Sequence, residues 1–301
     1  MFYKRFDEIN TSLNKLIKGN KTFTDAAAQF EELARTQDEE NPFEYGLVAL
    51  AKFGEMQCWQ KVKDKQKTVR TAVKAARLFI KAATYNYTIS KNLRDTWSDP
   101  LADGLQCYKI ASEVLKSDGK PNLTVVLLIE RGRIEKQFEL FHYAGNTYEE
   151  SVKLCLEKNL TLPLLFDSVF NCVDCYSRAD RIDLALSVVE KVQQKIQDTP
   201  NSPHVKRLFL DLKIFKGILL LSSFKFEELV EFSKASFDEN VANLFIKMGE
   251  ATKGNQIVIL DNLVNQTRNS AFFTEMEVDL FNRHKTLLEK SVEAAYAELA
   301  Q

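Results

Sequence analysis

Two cysteines three residues apart, in "NCVDCYSRADRIDLALSVVEKV" (Asn171 to Val192), raise the question of a reactive or metal-binding thiol pair. A C-x-x-C pair serves either as a thiol–disulfide couple or as half of a zinc site. Zinc needs two more ligands. The chain holds no second C-x-x-C, and His142, His204 and His284 stand alone with no H-E-x-x-H. A redox couple needs its cysteines at a strand-to-helix turn. Whether Cys172 and Cys175 sit at one depends on the elements around them.

Other chemistry is sparse. No G-x-x-x-x-G-K-[ST] loop occurs, and no G-x-G-x-x-G follows a strand, so no phosphate cradle is visible. Carboxylates are abundant but lie on the polar faces of amphipathic segments. No catalytic, cofactor-binding or metal-ligating residue is assigned. The expectation is a protein that is not an enzyme and takes no cofactor. A thiol or metal enzyme using Cys172–Cys175 stays as a distant alternative.

Two surfaces draw attention instead. The run "KVKDKQKTVRTAVKAARLFIK" (Lys61 to Lys81) carries eight Lys/Arg and one Asp. Lys67, Arg70, Lys74, Arg77 and Lys81 recur every three or four residues, which makes one charged helix face opposite Ala75, Leu78, Phe79 and Ala82. The common explanation is a solvated outer face. An acidic protein surface or lipid headgroups are a better second choice than nucleic acid, since no aromatic platform interleaves the charges. Further on, Phe224, Phe226, Phe232, Phe237, Phe245, Phe272, Phe273 and Phe281 fall within 58 residues. With Ile246, Leu287 and their neighbours, they exceed what short helices must bury inward. Either they form a Phe-rich core, or some anchor a second protein. The candidate anchors are Phe232, Phe237, Phe245, Ile246, Phe272, Phe273, Phe281 and Leu287.

The elements that position these residues are helices. Apolar residues recur at i, i+3, i+4 and i+7 nearly everywhere, and strict alternation is nearly absent. Gly and Pro number only 10 and 6 in 301 residues, too few for all-β or Rossmann-type turns. About fourteen helices are expected, with breaks at "KGNKTFTD", "SDGKPN", "HYAGNTYEE", "DTPNSPH" and "ATKGNQ". In "HYAGNTYEE", Gly145 is read as a stop and Thr147 with Glu150 as a capping box. In "KGNKTFTD", Thr24 is read as an N-cap. The N-terminus "MFYKRFDEINTSLNKLIKG" has no continuous apolar core, so no signal peptide is expected. No run approaches a membrane span, so no membrane insertion is expected. Five irregularly placed cysteines fit reduced thiols in the cytoplasm.

A repeat is visible. Ala75, Phe79 and Ala82 match the small–large–small pattern of a tetratricopeptide second helix. Ala26, Phe30 and Leu33 follow it with a large last residue, and Ala185, Val189 and Val192 more loosely. Ser151 to Ala185 is 34 residues, the tetratricopeptide period. Phe226 and Leu229 look like a further degenerate copy. The expected fold is all-α, a tetratricopeptide-like α-solenoid. It comprises a body over 1–224 and acidic, Phe-rich C-terminal helices over 225–301, continuous with the body. In this register Cys172 falls at an inward position beside Val169 and Val173, with Cys175 one turn along. The pair then reads as small apolar filler between helices.

Charge is uneven along the chain. Residues 1–224 hold 33 basic and 29 acidic side chains, and residues 225–301 hold 8 and 13. An acidic C-terminal quarter suits a basic partner surface.

"RFDEINTSLNKLIKGNKTFTDAAAQFEELA" (Arg5 to Ala34), followed by "KAARLFIK" (Lys74 to Lys81), resembles the family of the huntingtin-associated protein of forty kilodaltons. "SKASFDE…LFIKMGEATKGN" (Ser233 to Asn255) is similar to that family's C-terminal block more loosely. Vertebrate members carry a Gly/Ala-rich head and a long Pro-rich insert. Here only "TPNSP" (Thr199 to Pro203) stands where the insert falls, which suggests an invertebrate homologue. The resemblance implies a solenoid packed between the HEAT-repeat domains of huntingtin in a 1:1 heterodimer, stabilising that scaffold. It also implies a link to early endosomes and vesicle trafficking through the small GTPase Rab5. It brings no catalytic residues. A competing expectation is a SNARE-attachment-like vesicle adaptor that uses the basic face.

Overall fold

The computed structural model describes residues 1–13, 19–197, 202–270 and 272–299, which form fourteen α-helices and no strand. The "TPNSP" loop lies mostly outside them. No described helix is long and apolar enough to cross a membrane. The chain forms two compact units, Met1–Phe138 and Glu139–Gln301. The expected division at 224/225 falls inside the second unit.

The first unit holds α1 (Phe2–Leu13), α2 (Asn20–Arg35), α3 (Tyr45–Val62), α4 (Lys65–Ser90), α5 (Arg94–Ser117) and α6 (Pro121–Gln137). Each packs on its chain neighbours. The repeat residues lie at these contacts. Ala26, Phe30 and Leu33 of α2 are buried, as are Ala75, Phe79 and Ala82 of α4. Phe30 is seated over Gly54 of α3, where an added Cβ would lie 2.9 Å from its ring.

The second unit holds α7 (Phe141–Glu157), α8 (Leu162–Arg178), α9 (Ile182–Ile196), α10 (Pro203–Ser222), α11 (Phe226–Ser236), α12 (Glu239–Lys253), α13 (Ile257–Arg268) and α14 (Glu275–Leu299). Neighbours again pack in order, and α7 also meets α9. Ser151 on α7 and Ala185 on α9, one period apart, are both fully buried. The last helix departs from the pattern and packs back on α10. Each unit has the connectivity of a tetratricopeptide-like solenoid, and the fold is all-α.

Recurrent stops explain the short connections. Lys63, Gly119, Asn159, Asp180, Phe224 and Asn255 adopt φ between 48° and 68°, just beyond helix ends. In these turns the following N–H reaches back five residues, as in Lys120 to Leu115, Arg181 to Tyr176, Lys225 to Leu220 and Gln256 to Ala251. These are Schellman closures, which satisfy carbonyls left open at a helix end.

Two expected signals fail. Thr24 is no N-cap, because α2 already starts at Asn20. Gly145 and Thr147 do not mark a break either. Both lie buried within α7, and the break falls at Phe138–Leu140, where Glu139 has φ 60°. A Cβ at Gly145 would lie 2.5 Å from the Tyr176 ring. The glycine lets α8 press against α7, and its role is close approach rather than termination.

Candidate interaction surfaces

Cys172 and Cys175 sit mid-helix in α8, both fully buried. The Cys172 thiol lies 3.5 Å from the Gly145 carbonyl oxygen. Burial pushes it well above the usual thiol pKa, with nearby Glu149 adding to the shift. Burial likewise raises Cys58 to about 11, Cys107 to about 12 and Cys155 to about 11. Thiolate is the nucleophile and the metal ligand, so these environments suppress both kinds of chemistry. Among the described residues, no group of three His, Cys, Asp or Glu side chains is placed to hold a metal ion.

In the first unit, α4 carries the basic stripe on its exposed side. Its members are largely tied to this chain. Arg77 donates through two nitrogens to both oxygens of Glu130 on α6, at 2.8 and 3.0 Å. Tyr108 on α5 donates to the same carboxylate at 2.7 Å. Burial opposes ionisation of Glu130, but Arg77 and Tyr108 outweigh it and hold its pKa below the usual value. Lys74 reaches Glu39 at 2.5 Å. Lys67 lies 4.0 Å over the Trp59 ring, and Lys81 lies 5.3 Å over Tyr45. A groove of about 590 Å³ runs along the stripe, floored by Val69, Val73 and Leu78. All of the stripe except Arg70, which is exposed, braces α4 to its neighbours, and part of the stripe's charge is already matched.

In the second unit, the phenylalanines mostly meet each other. Phe232 touches Phe237 at 5.9 Å between ring centroids, and Phe237 stacks on Phe245 at 5.1 Å. Phe245 meets Phe281 at 5.7 Å, Phe281 meets Phe273 at 5.7 Å, and Phe273 meets Phe272 at 5.0 Å. One chain of rings thus joins α11, α12 and α14. Edge and offset contacts of this kind favour aromatic pairs beyond simple area burial. Phe245 also presses on α10 at Gly217, where an added Cβ would lie 2.7 Å from its ring.

Burial divides the candidate anchors. Phe245 and Phe281 are fully enclosed within the unit, so neither is an outward anchor. Phe232, Phe237, Phe272 and Phe273 are half-buried, with part of each ring spent on the others. Ile246 is half-buried and Leu287 is exposed. Phe224, Val258 and Ile259 are also exposed.

Three features escaped sequence reasoning. Glu227 and Glu231 on α11 and Glu250 on α12 surround a groove of about 370 Å³ that includes Ile246. Glu277, fully buried at the start of α14, is raised to about 7 by burial. His284, one of the isolated histidines, is buried at 2 % exposure, which lowers its pKa to about 4. The i, i+4 spacing of Glu227 and Glu231 was visible in the sequence. Nothing local marks the other two as buried.

No protein-family model and no curated protein matches the chain. Solved structures give faint likenesses. A signal-transduction ATPase with numerous domains and a tetratricopeptide repeat sensor, from Pyrococcus horikoshii, is 14 % identical with a TM-score of 0.40. It aligns over 95 % of this chain and 44 % of its own length. BtubC from P. vanneervenii is 14 % identical with a TM-score of 0.34, over 73 % of this chain and 90 % of its own. The apo form of RapI is 13 % identical with a TM-score of 0.32, over 97 % and 99 %. Likenesses this weak carry no argument about function.

Proposed function

We propose that this chain is a non-enzymatic interaction subunit whose partner is huntingtin. In this reading it packs between the HEAT-repeat domains of that scaffold as a 1:1 heterodimer and stabilises it. The setting is cytoplasmic, in early-endosome and vesicle trafficking, with Rab5 as a further contact. The partner's name rests on the resemblance of Arg5–Ala34 and Lys74–Lys81. One observation about the residues themselves carries the class of function. Burial keeps the thiols of Cys58, Cys107, Cys155 and Cys172 protonated, while in the second unit the half-buried Phe226, Val230 and Ile246 lie beside the exposed carboxylates of Glu227, Glu231 and Glu250. Such a surface suits association, in which apolar contact sets affinity and charge sets encounter and register. The competing SNARE-adaptor reading needs a free basic face, and the pairing of Lys74 and Arg77 within the chain weakens it.

The test is co-expression with huntingtin, followed by size exclusion in high salt. A 1:1 complex is expected. A chain that purifies as a stable monomer and ignores huntingtin would overturn the proposal.

A further inference from the structure

We infer that the groove between α11 and α12 is a docking site for a basic amphipathic helix of a partner protein. The floor comes from both helices, with Phe226 and Val230 on α11 and Ile246 on α12. Gly249 continues it. An added Cβ there would lie 3.2 Å from Leu229, so the glycine both draws the helices together and keeps the recess open. The volume, about 370 Å³, falls in the range of pockets that enclose ligand groups.

The rim supplies the sign of the partner's charge. Glu227, Glu231 and Glu250 line it against a single cation, Lys253. All three carboxylates are exposed, and among the described residues none makes an ion pair or hydrogen bond within the chain. The contrast with α4 is direct, because the cations of that stripe are mostly matched inside the chain. Glu227 and Glu231 also stand one turn apart on α11, a like-charge spacing that works against an isolated helix. A bound cation between them relieves that repulsion. The whole segment 225–301 shares the bias, with 13 acidic and 8 basic residues.

Geometry selects a helix as the occupant. No strand edge exists among the described residues, so an extended peptide finds no backbone to pair with. Two packed helices present ridges and a groove, which a third helix fills with side chains at i, i+3, i+4 and i+7. The eleven residues of α11 span roughly 16 Å at about 1.5 Å per residue. An occupant of three to four turns matches that length. Its apolar stripe would enter the recess, and Lys or Arg on both flanks would meet the carboxylates.

This inference deepens the interaction-subunit reading and rests on it, but its test is separate. The full chain is titrated against two fluorescein-labelled helical peptides of about 14 residues. Both carry the same leucine stripe, one with lysines and one with glutamates on the polar face. Fluorescence anisotropy reads binding. The wild-type chain is expected to bind the lysine peptide and not the glutamate peptide, more weakly as salt rises. The triple variant Glu227→Lys, Glu231→Lys, Glu250→Lys should lose at least tenfold in affinity for the lysine peptide and gain affinity for the glutamate peptide. These side chains are exposed, so the variant should keep its wild-type melting temperature. Ile246→Asp should weaken the lysine peptide by removing floor contact, even though it adds negative charge.

Equal lysine-peptide affinity in wild type and triple variant would overturn the inference, as would no binding by the wild type. Huntingtin capture by the wild-type chain is scored apart. Its failure sinks the named partner and leaves the peptide result standing, whereas peptide failure with intact capture sinks the groove alone.

Discussion

Replacing Glu277 with glutamine should stabilise this protein at neutral pH and do little in acid. Glu277 is the third residue of α14 and forms a capping box with Thr274. Its Oε2 accepts from the Thr274 N–H at 2.7 Å, and its own N–H points to Thr274 Oγ1 at 3.4 Å. Its other oxygen has no hydrogen-bond partner among the described residues. Burial raises its pKa to about 7, the Thr274 N–H opposes the shift, and the charge of Asp211 adds to it. Asp211, on α10, is itself raised to about 6 by burial, against the pull of Arg207 at 2.8 Å.

The sign follows from proton counts. Between pH of about 4.5 and 7, an unfolded glutamate has lost its proton while folded Glu277 keeps it. The unfolded state binds fewer protons, so stability falls as pH rises through that window. At about 1.4 kcal/mol per pH unit, the upper limit is about 3.5 kcal/mol. Part of that is shared with Asp211, since coupled groups titrate as a pair. We expect roughly 2 kcal/mol for Glu277, or about 4–8 °C in melting temperature.

His284, two turns along α14, acts in the opposite direction. Thr252 Oγ1 donates to the Met248 carbonyl oxygen at 2.8 Å and meets His284 Nε2 at 3.0 Å. The threonine proton is thereby used, so His284 Nε2–H is the donor. With its pKa lowered to about 4 by burial, folded His284 stays neutral where an unfolded histidine is charged. Between pH of about 4 and 6.5 its contribution therefore rises with pH. The two groups oppose each other in wild type, and Glu277→Gln removes one of them. Thermal melts by circular dichroism from pH 5 to 8, at constant ionic strength, read the outcome. Variant and wild type should melt alike near pH 5, with the variant higher by pH 7.5. A variant that melts lower by the same margin at every pH would contradict a neutral, buried Glu277. It would mean that Glu277 is ionised and serves only the cap.

Further outcomes follow from packing. Gly145→Ala forces a methyl against the Tyr176 ring and should cost about 1–3 kcal/mol, read as a lower midpoint in urea melts. Phe245→Ala removes a fully enclosed ring from between Gly217, Phe237 and Phe281, and should cost about 3–5 kcal/mol in the same assay. Leu287→Ala, at an exposed site, should stay within about 0.5 kcal/mol. A thiol reagent at neutral pH should label none of the five buried cysteines in the native chain and all five in denaturant. Native labelling of Cys172 or Cys175 at a rate near that of free thiol would show that α8 opens.

That this protein is helical and repeated is legible in the order of its residues alone. A 3.6-residue apolar period, scarce Gly and Pro, and the spacing of Ala75, Phe79 and Ala82 are local facts. They fix which face of each helix is apolar, and in register they turned Cys172 inward. What covers each face depends on packing between residues far apart in the chain. Gly145 looks like a helix stop until Tyr176, 31 residues away, is laid across it. Phe245 and Phe281 look like outward anchors until α14 packs back toward α10 and closes the rings on one another. Ile246 and Glu250 become a groove only beside Glu227 and Glu231. The pKa values of Glu277 and His284 depend on burial by helices distant in sequence. Periodicity records that a side chain seeks cover, and long-range packing chooses the partner that supplies it.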